Sequence, residues 1–284
     1  MHIGATMAFS HETPVSYLVD AAQYLDEAGF HSVWLPEHVM FFPEYASRYP
    51  YSDDGRIGGD PHGLIDPLVA LTFIASRTRQ IRLGTGILLV PQRQPIYTAR
   101  MVADLDYLSG GRVDLGIGIG WLAEEFGALG MDFSRRAANC REYVAAMKAL
   151  WTQEIPEFHG PSIDIPRCYF NPKPVQRPHP PILVGGESDA ALRRVAELGD
   201  GWYGFDLDEA QLAERLAKLD ALLAARGRKR TDVQIFACPN RRRITPELIE
   251  AYREQGVDQL IAPVFARSVD DLRRRAERVL ELVR

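Results

Sequence analysis

Lysine is scarce in this 284-residue sequence: Lys148, Lys173, Lys218 and Lys229 are the only four, and none closes a strand-like run. A Schiff base with a carbonyl substrate or pyridoxal phosphate needs an amine at the reacting centre, which argues against both chemistries. The three cysteines, Cys140, Cys168 and Cys238, lie far apart and form no CxxC pair. Neither a disulfide framework nor a thiolate metal site is expected, and a reducing cytoplasm fits. No GxSxG elbow, no HxH pair after the first strand and no evident set of metal ligands occur, so serine-hydrolase and metal-hydrolase readings lose support and no metal is expected. The net charge of −5 lacks the basic excess that nucleic-acid binding requires. No apolar run approaches the roughly 18 residues that would cross a bilayer, and no basic-then-apolar leader opens the chain. The expectation is a cytoplasmic protein with a small-molecule substrate, bound to neither nucleic acid nor membrane.

The sequence contains a regular alternation of short β-type runs with longer helical patterns. The runs are Ile3 to Thr6, Ser32 to Leu35, Ile81 to Gly86, Val113 to Gly118, Ile182 to Val184, Gly201 to Tyr203, Gln234 to Ala237 and Gln259 to Ala262. Apolar residues at helical spacing follow, as in Leu18, Ala21, Ala22 and Leu25, in Leu212, Leu216, Leu219 and Leu223, and in Leu272, Ala276, Val279 and Val283. Thr13-Pro14 offers an N-cap with proline at the first helical position, and Gly29, Gly199 and Gly256 end helices. Strands joined by single crossover helices lie parallel, and eight such units close into a barrel. The fold class is therefore α/β, a single (β/α)8 TIM barrel over residues 1–284, with Val33, Leu83, Leu115, Leu183 and Ile235 in its core. Two insertions interrupt it. Phe41 to Ile65, after strand two, carries Tyr45, Tyr49, Tyr51 and the flexible Asp53-Asp54-Gly55 and Gly58-Gly59, and reads as a lid or as a surface loop. Glu154 to Pro181, rich in proline, precedes strand five.

Barrel chemistry sits at the C-terminal strand ends. After strand one, Ala5-Thr6-Met7 leaves room for something flat. Strand two ends in Pro36-Glu37-His38, a carboxylate beside an imidazole that can trade a proton near neutral pH; a turn-capping role for His38 is the alternative. Thr85-Gly86-Ile87 and Gly118-Ile119-Gly120-Trp121 end strands three and four, and their glycines allow backbone to lie against a planar ligand or simply fill a tapering interior. Gly185-Gly186-Glu187-Ser188 opens a helix and suits a phosphate, provided Glu187 points away; a plain turn capped by Ser188 is the alternative. Arg241-Arg242-Arg243 and Arg267 stand at the rims of strands seven and eight, either to hold anions or as solvated charge.

The stretch Pro172-Lys173-Pro174-Val175-Gln176-Arg177-Pro178-His179-Pro180-Pro181-Ile182-Leu183-Val184-Gly185-Gly186, with Asp200-Gly201-Trp202 after it, resembles a signature of luciferase-like monooxygenases, as do Leu83-Gly84-Thr85-Gly86 and Arg112 to Trp121. The chain looks closest to the branch using coenzyme F420, a deazaflavin with an acidic oligoglutamate tail. The resemblance implies an F420-dependent oxidoreductase, with FMN and a reduced-FMN monooxygenase served by a partner reductase as the alternative, and a catalytically silent flavin-binding protein as a third. It implies that Glu37 and His38 are the catalytic pair. The cofactor would lie against Ala5, Thr85, Gly86, Ile87, Gly118, Gly120 and Trp121, with its phosphate at Gly185, Gly186, Glu187 and Ser188 and its tail toward Arg241. It further implies a non-proline cis peptide at Gly86-Ile87, and a homodimer. Where related sugar-phosphate dehydrogenases carry a glutamate after strand four, this chain has Trp121.

Overall fold

All eight strand-like runs form strands, each followed by at least one helix. The computed structural model describes residues 1–58 and 62–283; Gly59, named above within the insertion, lies outside the described residues. The strands are β1 (His2–Thr6), β2 (Ser32–Leu35), β3 (Arg82–Thr85), β4 (Val113–Gly118), β5 (Ile182–Gly185), β6 (Gly201–Phe205), β7 (Gln234–Cys238) and β8 (Gln259–Pro263). Each pairs in parallel with the next, and β8 returns to β1 with Ile3 opposite Leu260 and Ala5 opposite Ala262. The sheet is a closed eight-stranded parallel barrel. Past β3 a cis peptide joins Gly86 to Ile87, and Leu88 and Leu89 then resume parallel pairing with Ile117 and Gly118.

The two-residue side-chain period of a strand divides the core into two layers. Val33, Leu83, Leu115 and Ile235 point outward and are fully buried beneath the helices. Leu183 points inward with Trp34, Tyr203, Phe236, Cys238 and Ile261, which plug the barrel interior. Trp34 is the largest of these, its indole N–H donating to Ser32 Oγ at 2.6 Å. The interior is therefore packed, and barrels of this kind carry their chemistry above it, at the C-terminal strand ends.

Helix α1 (Val15–Glu27) buries Leu18, Ala21, Ala22 and Leu25 and is followed by Gly29. Its start differs from expectation. Pro14 is the capping residue, and the Thr13 hydroxyl accepts from Ser10 N at 3.0 Å, because the chain arrives through a turn that uses that hydroxyl first. The helices α2 (Pro67–Ala75), α3 (Pro95–Ser109), α4 (Ala123–Ala128), α5 (Arg136–Thr152), α6 (Asp189–Leu198), α7 (Glu209–Ala224), α8 (Pro246–Glu254) and α9 (Val269–Val283) follow in order. In the second insertion a short antiparallel ladder, Phe158–His159 with Asp164–Ile165, is tied to α5 through the Glu142 carboxylate, which accepts from Ser162 N and Ile163 N. Among the described residues, no helix is long and apolar enough to cross a membrane.

Candidate active site

His38 lies just past the C-terminal end of β2 and is 9% exposed. Its Nδ1 faces Glu125 Oε2 at 3.0 Å, and the Trp121 indole N–H donates to its Nε2 at 3.2 Å. Glu125, on α4, is fully buried and accepts three further hydrogen bonds: from Val39 N at 2.6 Å, Met40 N at 3.1 Å and Gln92 Nε2 at 3.0 Å. Burial pushes this carboxyl up, yet the donors from His38, Gln92 and Met40 N outweigh it and hold Glu125 below the usual carboxylate range. An ionised carboxylate only accepts, so Nδ1 carries the proton that points at it. A carboxylate holding one ring nitrogen leaves the other available to a reacting group, as in a serine-protease triad.

Glu37 does not orient His38. Neighbouring residues in extended chain point opposite ways, and the Glu37 carboxylate turns to Leu89 N at 2.5 Å and to Arg93 Nε at 2.6 Å. Arg93 also pairs with Asp66, the N-cap of α2. Burial pushes the Glu37 carboxyl up despite Arg93 beside it, while Glu37 and Asp66 outweigh burial at Arg93 and raise its guanidinium above the ordinary value. Glu37 thus fastens the segment after β3 to the end of β2.

The first insertion crosses the barrel mouth as a lid. Glu124, next to Glu125, accepts from Ala46 N at 2.6 Å and Ser47 N at 3.1 Å, and the Ser47 hydroxyl accepts from Ala123 N. Trp121 packs edge-on against His38, Tyr45 and Tyr49, with centroids 5.7, 5.6 and 5.2 Å away. Tyr49 meets Tyr51, and Tyr51 meets Phe205 at the end of β6.

Below the lid, the Ile87 side chain lies across β4 and β5. A β-carbon on Gly118 would fall 1.9 Å from Ile87 Cδ1, and one on Gly185 would fall 3.1 Å from Ile87 Cγ2. Glycine at 118 therefore makes room for Ile87. The Gly120 position is likewise closed by Phe126 at 2.8 Å. Ala5 is buried in the outer core, and the Thr85 hydroxyl donates to the Gly116 carbonyl at 2.6 Å. Gly86 and Ile87 do reach the mouth, and the buried Tyr203 hydroxyl lies 3.2 Å from where a Gly86 β-carbon would sit, beside the Cys238 thiol.

The turn Gly185 to Ser188 opens α6. Gly186 has φ +106°, a conformation side-chain-bearing residues rarely adopt, and Ser188 caps the helix by accepting from Ala191 N. Ser188→Ala should cost about 1 kcal/mol, read as a lower melting temperature. Glu187 points away from the turn, accepting from the Tyr51 hydroxyl at 2.6 Å and Phe205 N at 2.9 Å. Burial pushes its carboxyl up to about 7 against these donors, with Asp206 adding to the rise. A carboxyl raised above its ordinary 4.5 binds more protons folded than unfolded, so its contribution to stability is present below about 4.5 and lost as pH rises through 7. Glu187→Gln removes that titration: its melting temperature should gain on wild type between pH 5 and 8, and a pH-independent difference would contradict the assignment.

The arginines at the rim are largely engaged. Arg241 holds Asp206 through Nε and Nη2 at 3.2 and 3.1 Å and approaches Asp53 of the lid at 3.6 Å; Arg242 binds the Asp206 carbonyl and Gln211. Arg243 and Arg267 are exposed, with no hydrogen bond or ion pair among the described residues. At the opposite end of the barrel, a cavity of about 590 Å³ opens among His2, His31, Arg82, Asp114 and Gln259. It is remote from the strand ends that carry His38. Among the described residues, no group of three or more His, Cys, Asp or Glu is placed to hold a metal.

Sequence reasoning missed Glu125, Glu124 and Gln92. Two adjacent glutamates at the start of a short helix read as a solvated face; the signal was their place directly after the glycine-rich end of β4.

Comparison with known proteins places the chain among barrels of the same fold. An uncharacterized protein of Mycobacterium tuberculosis is 32% identical over 283 residues, covering 98% of this chain and 97% of that protein. The oxygenase component of a flavin-dependent trigonelline monooxygenase from Acinetobacter baylyi is 30% identical over 169 residues, 59% of this chain and 42% of its own. Among solved structures, monooxygenase RslO1 from Streptomyces bottropensis superposes with TM-score 0.79 at 23% identity, covering 100% of this chain and 98% of that one. An F420-dependent secondary alcohol dehydrogenase superposes with TM-score 0.77 at 16% identity, covering 100% and 99%. The family model for luciferase-like monooxygenases matches residues 2–278, and the chain belongs to that family.

Proposed function

We propose that this chain is an F420-dependent oxidoreductase that exchanges a hydride between the deazaflavin and a small organic substrate. The observation that carries the reading is His38 just past the C-terminal end of β2, its Nδ1 backed by the buried Glu125 carboxylate and its Nε2 accepting from the Trp121 indole N–H. The residues present fit such a cofactor. Ile87 provides an apolar shelf, the Tyr203 hydroxyl is a polar group beside Gly86, and the Gly185 to Ser188 turn at the start of α6 suits a phosphate, with Glu187 turned aside. Arg243 and Arg267 remain for an acidic tail. When bound, F420 supplies the carbon that accepts or releases hydride. His38 takes up or returns the accompanying proton at Nε2, Glu125 stabilises the ring when it is charged, and the lid aromatics exclude water. The retained His38–Glu125 pair speaks against a catalytically silent binding protein.

A second reading, a reduced-FMN monooxygenase supplied by a partner reductase, is favoured by one observation. Arg241 and Arg242 already hold Asp206 and Gln211, so an acidic tail would have to compete for them, and FMN has no such tail. Relatives named as flavin-dependent trigonelline and dimethylsulfone monooxygenases support the same side. The two readings separate in a sealed cell. Reoxidation of reduced F420 by a panel of carbonyl and activated-alkene compounds without oxygen supports the first; oxygen uptake with reduced FMN, and no anaerobic turnover of F420, supports the second.

A homodimer is proposed as well, on the exposed Val69 and Phe73 of α2 beside the exposed Tyr97 and Leu108 of α3. Light scattering should give twice the chain mass, and Phe73→Glu should lower it.

A further inference from the structure

We propose that Trp121 is a positioning residue that fixes His38 as the neutral Nδ1–H tautomer and covers its Nε2 lone pair until the lid moves. The proposal rests on reading His38 as the proton-handling group, and on two independent constraints at the two ends of one ring. At Nδ1, Glu125 accepts from Val39 N, Met40 N and Gln92 as well as facing His38, an arrangement that suits only an ionised carboxylate, so Nδ1 must donate. At Nε2 the neighbour is an indole N–H, which donates and never accepts, so Nε2 must be unprotonated. A doubly protonated ring would set two donors against each other at 3.2 Å.

Among the described residues, Glu125 is the only charged group hydrogen-bonded to the ring. Phe41 of the lid packs on it at 4.7 Å, and Glu37, its neighbour in sequence, is turned to Arg93. Trp121 in turn is held by Tyr45 and Tyr49, and the lid that carries them is fastened by Glu124 at residues 46 and 47, by Glu187 at Tyr51, and by Arg241 at Asp53. The indole therefore occupies the position from which a reacting O–H or N–H would approach Nε2. Movement of the lid takes away the rings that brace it. A substrate donor replaces the indole N–H one for one, with no unpaired polar atom left behind. The arrangement stores His38 as a base, ready to receive a proton.

The test uses the whole chain without cofactor, labelled with ¹⁵N at histidine, with His38 assigned by the resonances lost in His38→Asn. At neutral pH the expected pattern is a protonated Nδ1 and an unprotonated, hydrogen-bonded Nε2. Trp121→Phe keeps an aromatic ring but removes the donor, and the Nε2 signal should shift toward free imidazole while Nδ1 keeps its proton. A native ring protonated at Nε2, or a Trp121→Phe spectrum with Nε2 unmoved, overturns the proposal. Should Trp121→Phe fail to fold, the native tautomer decides, together with the indole N–H resonance of Trp121, which should move upfield in His38→Ala. Failure of F420 to bind would sink the cofactor reading and leave these signals as they are.

Discussion

Glu125→Ala is expected to destabilise the fold by about 3–5 kcal/mol, because two backbone N–H groups, the Gln92 amide and the His38 ring would lose their acceptor inside the protein. At about 2–4 °C per kcal/mol for chains of this order, the melting temperature should fall by roughly 10 °C. Glu125→Gln preserves the shape but sets an amide among donors, and should recover only part of the loss. The pH dependence has a definite sign. A carboxyl held below its ordinary value adds stability above the unfolded value, and that stability is lost as pH falls through the folded value, so wild type should lose its advantage over Glu125→Gln below about pH 4.5. A loss under about 1 kcal/mol for Glu125→Ala, measured by denaturant titration at pH 7, would show that the buried network contributes little.

His38→Ala is expected to slow the chemical step by about 10²–10⁴-fold with cofactor affinity unchanged, since that is the usual contribution of a positioned acid or base. His38→Asn should lose as much, because its amide can hydrogen-bond to Glu125 but cannot take up a proton at the position of Nε2. The measurement is a single-turnover experiment at saturating cofactor, once a substrate is in hand. Unaltered chemistry with weaker cofactor binding would reduce His38 to a contact. Glu37→Gln makes a useful contrast: its carboxylate meets Arg93 and Leu89 N, so it should lower stability with a much smaller effect on the chemical step.

The barrel was legible because strand and helix periods alternate eight times with turn residues between them, and burial on both sides makes each parallel strand apolar throughout. His38 was legible for a related reason: residues just past a barrel strand face the mouth. Its partner was not, since sequence adjacency suggested Glu37 while the extended chain turns Glu37 the other way, and Glu125 arrives from a helix 87 residues later. That Gly118 and Gly120 accommodate Ile87 and Phe126 was not legible, because only the closed barrel creates those contacts. The arginine run looked free for the same reason, because Asp206 and Asp53 reach Arg241 from other loops. The tyrosines of the first insertion did announce a wall over the site, as Tyr45, Tyr49 and Tyr51 pack against Trp121 and Phe205.

The most direct test of the proposed function is an equilibrium titration of the ligand-free chain with F420 and, separately, with FMN, each followed by its own absorbance and fluorescence at low salt. Exposed arginine contacts such as Arg243 and Arg267 weaken with ionic strength, so a parallel series at high salt reports on the acidic tail. The account predicts F420 binding in the micromolar range or tighter, weakening with salt, and poorer binding of FMN. Micromolar binding of FMN with no binding of F420 at low salt would contradict it and put the monooxygenase reading in its place.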